Sequence, residues 1–106
     1  MAKGDYLGEF ELLVLLAVVR LNDDAYGMEV RREIEARAGR DASIGAVYAT
    51  LDRLETKGLV RSREIAPDKD QGRTRRLYLI TADGGRALAR TREAIDGMWQ
   101  GVKAPR

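Results

Sequence analysis

Residues 8–21 constrain the fold more than any other segment, because apolar side chains surround the whole predicted helix. One stripe at helical spacing contains Phe10, Leu13, Val14, Ala17, Val18 and Leu21. The remaining sides carry Leu12, Leu15, Leu16 and Val19. A helix that is apolar all round is buried on more than one side. A chain of 106 residues supplies one domain with one core, so we expect a second subunit to cover part of this helix.

The residue types exclude several classes of protein. The chain contains no Cys and no His, so it lacks disulfides, a thiolate nucleophile, and the commonest general base and metal ligand. We therefore expect no enzymatic activity, no cofactor and no metal site. The apolar run over residues 12–19 is shorter than the ~20 residues that span a bilayer, and it follows Glu9 and Glu11 instead of a basic stretch. We expect neither a signal peptide nor a membrane anchor, and a cytoplasmic location.

A second and a third helix are predicted before the middle of the chain. The second covers residues 25–38 after the polar break at residues 22–24, and Gly39 ends it. Its inward positions are Tyr26, Val30 and Ile34. Ser43 caps the third helix, over residues 44–57, whose core positions are Val47, Leu51 and Leu54. The opposite face is short and polar, and it carries Gly45, Tyr48, Ala49, Asp52, Arg53 and Thr56.

A β-hairpin is predicted next. Residues 59–65 alternate in polarity, residues 66–74 are rich in turn formers, and residues 75–80 form the second strand. In that strand, Leu77 and Leu79 are expected on the side opposite to Arg76, Tyr78 and Ile80. Basic residues gather on the tip and second arm, namely Lys69, Arg73, Arg75 and Arg76. Such a hairpin is either a cationic binding arm or an edge strand protected by charge.

The last helix begins after its cap, Thr81, at residue 82. Leu88, Ile95 and Val102 repeat every seven residues, which resembles a short coiled-coil seam. Packing on its own domain is the alternative, but Trp99 near the chain end favours a partner helix. We predict a DNA-binding domain over residues 1–81 and a dimerisation helix over residues 82–106. The predicted dimer interface comprises Leu12, Leu16, Leu88, Ile95, Met98, Trp99 and Val102.

This order of elements indicates a mainly α protein with a small β-hairpin, namely a winged helix-turn-helix followed by a dimerisation helix. The third helix is then the one that enters the major groove of duplex DNA. The net charge is −3 over residues 1–58 and +5 over residues 59–92, which fits a one-sided electrostatic footprint. A solvated surface with uneven charge is the alternative. Tyr48 either contacts DNA or half covers the core at its rim. The predicted DNA-binding residues are Ser43, Gly45, Ala46, Tyr48, Ala49, Arg53, Lys69, Arg73, Arg75 and Arg76.

Three stretches resemble the PadR-like transcriptional regulators. Residues 12–17 (LLVLLA) followed by residues 26–30 (YGMEV) are similar to the family's opening. Residues 43–55 (SIGAVYATLDRLE), running into KGLV, resemble its third helix. Residues 72–84 (GRTRRLYLITADG) look like its wing and the start of its last helix. The resemblance covers residues ~8–100. One departure is Ala49, where many members have Pro.

The resemblance implies a cytoplasmic bacterial or archaeal repressor that is dimeric through its C-terminal helix and is often released by a small effector. The single helix after the wing is similar to the short subgroup. In some members a Trp of that helix binds flat aromatic molecules between subunits, and Trp99 matches it. A Trp buried in an ordinary dimer core is the alternative.

We therefore expect a regulator that binds a palindromic site in double-stranded DNA as a homodimer, with a small aromatic molecule as its candidate effector. Two other functions remain open. A winged helix also serves as a protein-interaction module without DNA, which the basic hairpin argues against. A small-molecule sensor that stacks its ligand on Trp99 is the second.

Overall fold

The computed structural model describes residues 6–67 and 74–103. Within them lie four α-helices and one antiparallel pair of strands, which confirms the predicted fold class. In chain order the elements are α1 (Glu9–Leu21), a 3₁₀ turn (Asn22–Asp24), α2 (Gly27–Ala38), α3 (Ile44–Thr56), β1 (Val60–Ile65), β2 (Arg75–Ile80) and α4 (Ala82–Trp99).

Helix α1 lies at the centre and contacts α2, α3, α4 and β2. Its start is capped because Glu11 accepts a hydrogen bond from the Gly8 N–H at 3.1 Å. The side chains of Val14, Leu15, Ala17 and Val18 are buried in the core. Leu16 and Val19 remain 40% and 44% exposed. The chain therefore covers most but not all of its apolar first helix, and the second subunit stays a prediction.

The predicted start of α2 at residue 25 is wrong by two residues. Residues 22–24 form their own 3₁₀ turn, and Tyr26 occupies the N-cap position of α2. The difference is caused by tertiary contacts of residues 25 and 26 with β2. Ala25 accepts a hydrogen bond from the Tyr78 N–H at 3.0 Å, and Tyr26 forms an antiparallel bridge with Leu77. Backbone paired with a strand in this way is extended and cannot also be helical.

The ends of α2 and α3 follow the local signals in the sequence. Gly39 adopts φ 62° and ends α2 as predicted. The Ser43 hydroxyl caps α3 by accepting from the Ala46 N–H at 3.0 Å. Helix α3 ends at Thr56, one residue before the predicted end, and Gly58 with φ 77° lets the chain turn into the hairpin.

Strands β1 and β2 pair in a register that sets Val60 opposite Ile80 and Ile65 opposite Arg75. Tyr78 lies on the side of β2 opposite to Leu77, as expected, and its side chain is buried, with only 2% of its surface exposed. Its cross-strand neighbour Ser62 donates a hydrogen bond to Glu55 of α3, so α3 lies over this face of the hairpin. Leu77 on the opposite face is also buried. Simple alternation assumes one covered face, whereas the middle of β2 has two.

Helix α4 is joined to the hairpin by Thr81, which accepts from the Gly84 N–H at 3.0 Å and donates to the Gly58 carbonyl at 2.6 Å. The first half of α4 belongs to the core, where Ala87 and Thr91 are buried. Thr91 also accepts a hydrogen bond from the Leu7 N–H at 3.2 Å. The division into residues 1–81 and 82–106 stays a prediction.

Two neighbouring glycines of α4 should respond oppositely to alanine. A Cβ at Gly84 would overlap the Leu59 carbonyl oxygen and lie 2.7 Å from Cγ1 of Ile80, whereas nothing lies near a Cβ at Gly85. We expect Gly84→Ala to destabilise the fold by about 1–3 kcal/mol through overpacking. Gly85→Ala should stabilise it by about 0.5–1 kcal/mol through helix propensity. Denaturant unfolding of both variants checks this, and equal effects would contradict the close packing at Gly84.

Candidate nucleic-acid interface

Helix α3 presents one side to the core and one side to solvent. Val47, Thr50, Leu51 and Leu54 are buried. At positions three or four residues apart on the other side, Gly45, Ala49, Asp52 and Thr56 are all exposed, and we call these four residues the outer face of α3. Ser43 and Ala46 are exposed beside its start. The short side chains at its N-terminal end let the helix backbone come close to another surface.

Tyr48 lies at the edge between α3 and the start of α2. A Cβ at Gly27 would lie 2.5 Å from Cε1 and 2.6 Å from the hydroxyl oxygen of Tyr48, so the ring rests on the bare backbone of Gly27. The Tyr48 side chain still has 41% of its surface exposed. It therefore covers part of the rim and also remains partly accessible to solvent. The sequence predicted Tyr48 but missed Gly27, because their contact joins two separate helices.

An open groove of about 590 Å³ lies between the start of α2 and the start of β2, and we call it the α2–β2 groove. The Arg75 guanidinium stacks over the Tyr26 ring at 3.6 Å from its centroid. The first turn of α2 has no side-chain cap, so the positive end of this helix carries free N–H groups. The lining residues are Tyr26, Gly27, Met28, Tyr48, Thr74, Arg75 and Arg76.

Arg76 is engaged within the hairpin. Its guanidinium donates to Ser62 and to Glu64, each at 3.0 Å. Ser62 donates in turn to Glu55 of α3 at 2.7 Å. These contacts connect the hairpin to α3, and a phosphate that binds Arg76 would compete with Glu64. Two other predicted residues of the hairpin, Lys69 and Arg73, lie outside the described residues.

Two basic residues of β1 were not among the predicted site residues. Arg61 and Arg63 are exposed, and the strand register places them on the same face of the hairpin as Arg75. Within residues 6–67 and 74–103, neither forms an ion pair. Their alternation with Ser62 was visible in the sequence, but the prediction considered only the tip and the second arm. The cationic face therefore extends over both strands.

Arg53 lies on the flank of α3 that faces α1. It donates to the Thr50 hydroxyl at 3.1 Å, and its Nε lies 3.9 Å from a Glu11 oxygen. Lys57 contacts the same carboxylate at 2.8 Å. Burial works against the charged form of Glu11, but hydrogen bonds from Lys57 and the Gly8 N–H lower its pKa below the usual value. Glu11 thus couples α1 to α3.

Replacing Glu11 should change how stability depends on pH. A carboxylate whose pKa is lowered by folding stabilises the fold above its unfolded pKa, near 4.5, and this contribution is lost as the pH falls through the folded value. We expect Glu11→Gln to cost about 1 kcal/mol near neutral pH, since Lys57 is partly exposed to solvent. Unfolding free energies of the variant and the wild type should converge as the pH falls below the folded pKa of Glu11, which lies under 4.5.

Glu93→Gln is the matched control, because Glu93 is exposed on α4 and forms no ion pair with any described residue. A constant difference between Glu11→Gln and wild type across the acidic range would contradict the role of the Glu11 charge.

A second surface lies between α1 and α4. Leu12, Leu16, Leu88 and Ile95 line a mostly apolar groove of about 600 Å³, together with Ala89, Arg92 and Asp96; we call it the α1–α4 groove. Beyond it, Met98 is 80% and Trp99 53% exposed, and Val102 is exposed as well. The structure therefore brings four of the predicted dimer residues together in one groove, and the other three are exposed at or just after the end of α4. For Trp99, burial in a dimer core and stacking on an aromatic effector both stay predictions.

Two other kinds of site are absent from the described part of the chain. No helix there is long and apolar enough to cross a membrane. No group of three or more acidic side chains there is arranged to hold a metal ion.

Comparison with known proteins decides the family. The model of the "Transcriptional regulator PadR-like family" matches residues 15–90. The chain belongs to the PadR-like transcriptional regulators. The resemblance inferred from residues 12–17, 43–55 and 72–84 is thereby confirmed. The matched region contains α2, α3, both strands and most of α1, so it includes every described residue of the predicted DNA-binding set.

Individual relatives agree with this assignment. The transcriptional regulator Rv3488 of Mycobacterium tuberculosis is 36% identical over 75 residues, which are 71% of this PadR-like chain and 66% of that protein. The structure of the hsRosR-S4 complex has a TM-score of 0.69 at 30% identity, covering 92% of this chain and 77% of that one. F93 from STIV, described as a winged-helix DNA-binding protein, has a TM-score of 0.71 at 22% identity over 88% and 94% of the two chains. The last similarity establishes the winged-helix fold.

Proposed function

We propose that this PadR-like regulator binds duplex DNA as a homodimer, with α3 in the major groove and the hairpin along the phosphates. The observation that carries the proposal is the exposed outer face of α3 beside the α2–β2 groove. A bare helix face next to a cationic groove matches the major groove flanked by a phosphate backbone. The family resemblance further implies that the protein represses transcription from a palindromic site, and we include this in the proposal.

The N-terminal half of α3 fits close to base edges. Gly45 and Ala49 add almost no bulk, and the Ala49 methyl group is of the kind that contacts a thymine methyl group. The Ser43 hydroxyl already accepts from the Ala46 N–H, and its proton is left to donate to a phosphate. Arg53 would have to leave Glu11 to reach DNA, so we place it at the edge of the interface.

The α2–β2 groove supplies the phosphate contacts. Stacking on Tyr26 holds the Arg75 guanidinium in one orientation before DNA arrives, which reduces the entropy lost on binding. The Tyr48 hydroxyl and the uncapped N–H groups of α2 lie along the same groove. A guanidinium, a hydroxyl and a helix N-terminus are all groups that bind phosphate oxygens. These contacts supply affinity for any sequence and make it dependent on salt.

Arg75→Ala tests this arrangement. We expect affinity to fall by a similar factor, on the order of tenfold, for unrelated duplexes, and the slope of log K against log salt to decrease by about one. Fluorescence anisotropy titrations at several salt concentrations measure both quantities. Arg37→Ala is the control, since it removes the same charge from the last turn of α2, where Arg37 is exposed and pairs with Glu33. A variant with the wild-type slope would remove Arg75 from the interface.

The dimer proposal depends on the apolar stripe of α4. Ala87 and Thr91 on this stripe are buried by the chain's own core, whereas Ile95 and Met98 continue it into solvent. Val102, beyond the end of α4, is exposed as well. The exposed part runs into the α1–α4 groove, where Leu16 is also exposed. A second copy offers the same surface, so a two-fold axis brings two such stripes together. Two copies of α3 would then lie about 34 Å apart and contact a palindrome.

Ile95→Glu should weaken this association. The change places a carboxylate in the mostly apolar α1–α4 groove, where a second copy would remove it from water against Leu12, Leu16 and Leu88. Sedimentation should find wild type dimeric at micromolar concentration and the variant monomeric, with a dissociation constant raised at least about tenfold. Ala36→Glu adds the same charge at an exposed position of α2, outside both the groove and the end of α4, and should stay dimeric. A monomeric wild type would defeat the proposed interface.

A further inference from the structure

The outer face of α3 carries one charged side chain, and that charge has the wrong sign for a phosphate backbone. Gly45, Ala49 and Thr56 are uncharged, while Asp52 presents an exposed carboxylate between them. Neighbouring charged residues are occupied: Arg53 contacts Thr50 and Glu11, and Glu55 accepts from Ser62. Among the described residues, none donates a hydrogen bond to the Asp52 side chain or forms an ion pair with it.

An exposed carboxylate at this position has a physical consequence if α3 enters the major groove. Its oxygens lose water on binding, and a buried acceptor left without a donor is costly. Phosphates repel it, so it weakens binding to any sequence that does not supply a donor. The bases supply two amino groups in the major groove, N4 of cytosine and N6 of adenine. Beside N6, however, adenine places the N7 acceptor, which repels the second carboxylate oxygen.

We propose that Asp52 is a specificity-determining residue that accepts a hydrogen bond from N4 of one cytosine in each half-site. The proposal rests on the proposed function, because it needs α3 in the major groove. Asp has a short side chain, and it reaches a base edge only where the helix backbone lies close. Gly45 and Ala49, two turns and one turn before Asp52, provide that closeness. Asp52 thus rejects duplexes without a C·G pair at its position.

Selection of bound duplexes from a randomised library tests the proposal, with wild type, Asp52→Ala and Asp52→Asn compared in parallel. Wild type should enrich cytosine at one position of each half-site, with discrimination on the order of tenfold. Asp52→Ala should lose the preference at that position alone and bind random duplexes more tightly. Asp52→Asn should prefer adenine there, because an amide pairs with both N6 and N7 of adenine.

The control and the outcomes separate this inference from the proposed function. Asp83→Asn removes the same charge from the first turn of α4, where Asp83 is exposed and pairs with Arg86, and it should select the wild-type sequences. If wild type selects a sequence and both Asp52 variants select the same one, the inference is overturned and DNA binding stands. If wild type enriches no sequence, sequence-specific binding and this inference fall together.

Discussion

The antiparallel bridge between Tyr26 and Leu77 is the contact on which the candidate interface depends. It fixes the backbone just before α2 against the second strand of the hairpin, with the Tyr78 N–H bound to the Ala25 carbonyl. Two further placements follow from it. The Tyr26 ring lies under the Arg75 guanidinium, and Gly27 begins α2 where it receives the Tyr48 ring. One short stretch of backbone therefore positions groups from α2, α3 and β2 along a single groove.

Features of the fold and the candidate site were predictable from sequence when they depend on residues close together in the chain. Ser43 as the cap of α3, Gly39 as the end of α2 and the two strands were predicted because each signal lies within a few residues of its effect. The start of α2 was predicted two residues too early, because strand pairing at Ala25 overrode local periodicity. Burial on both faces of the middle of β2 was not predicted, because it depends on the packing of α3 on the hairpin. Glu11 and Gly27 were missed as site residues for the same reason, since their partners are separate in sequence.

The candidate interface combines a basic hairpin with an acidic helix α3, a difference that the net charge of +2 does not reveal. The hairpin carries Arg61, Arg63 and Arg75 on one face, whereas α3 exposes Asp52 and Glu55. Basic groups act on phosphates at any sequence, and an acidic group on the helix opposes that attraction unless a base provides a donor. In the proposed function, affinity and discrimination thus come from different elements. Glu11 further reduces the free positive charge of α3 by pairing with Arg53 and Lys57.

The two halves of the apolar stripe of α4 serve different purposes, one in the fold of the monomer and one in its proposed assembly. Its first half closes the monomer's own core through Ala87 and Thr91, so the DNA-binding elements have their hydrophobic core without a partner. Its second half leaves Met98 and Trp99 in water, where large apolar side chains gain free energy from any burial. A surface change at this end should therefore alter assembly while leaving the fold of each protomer intact. If two copies associate through α4 as proposed, the angle between them sets the relative positions of their two α3 helices.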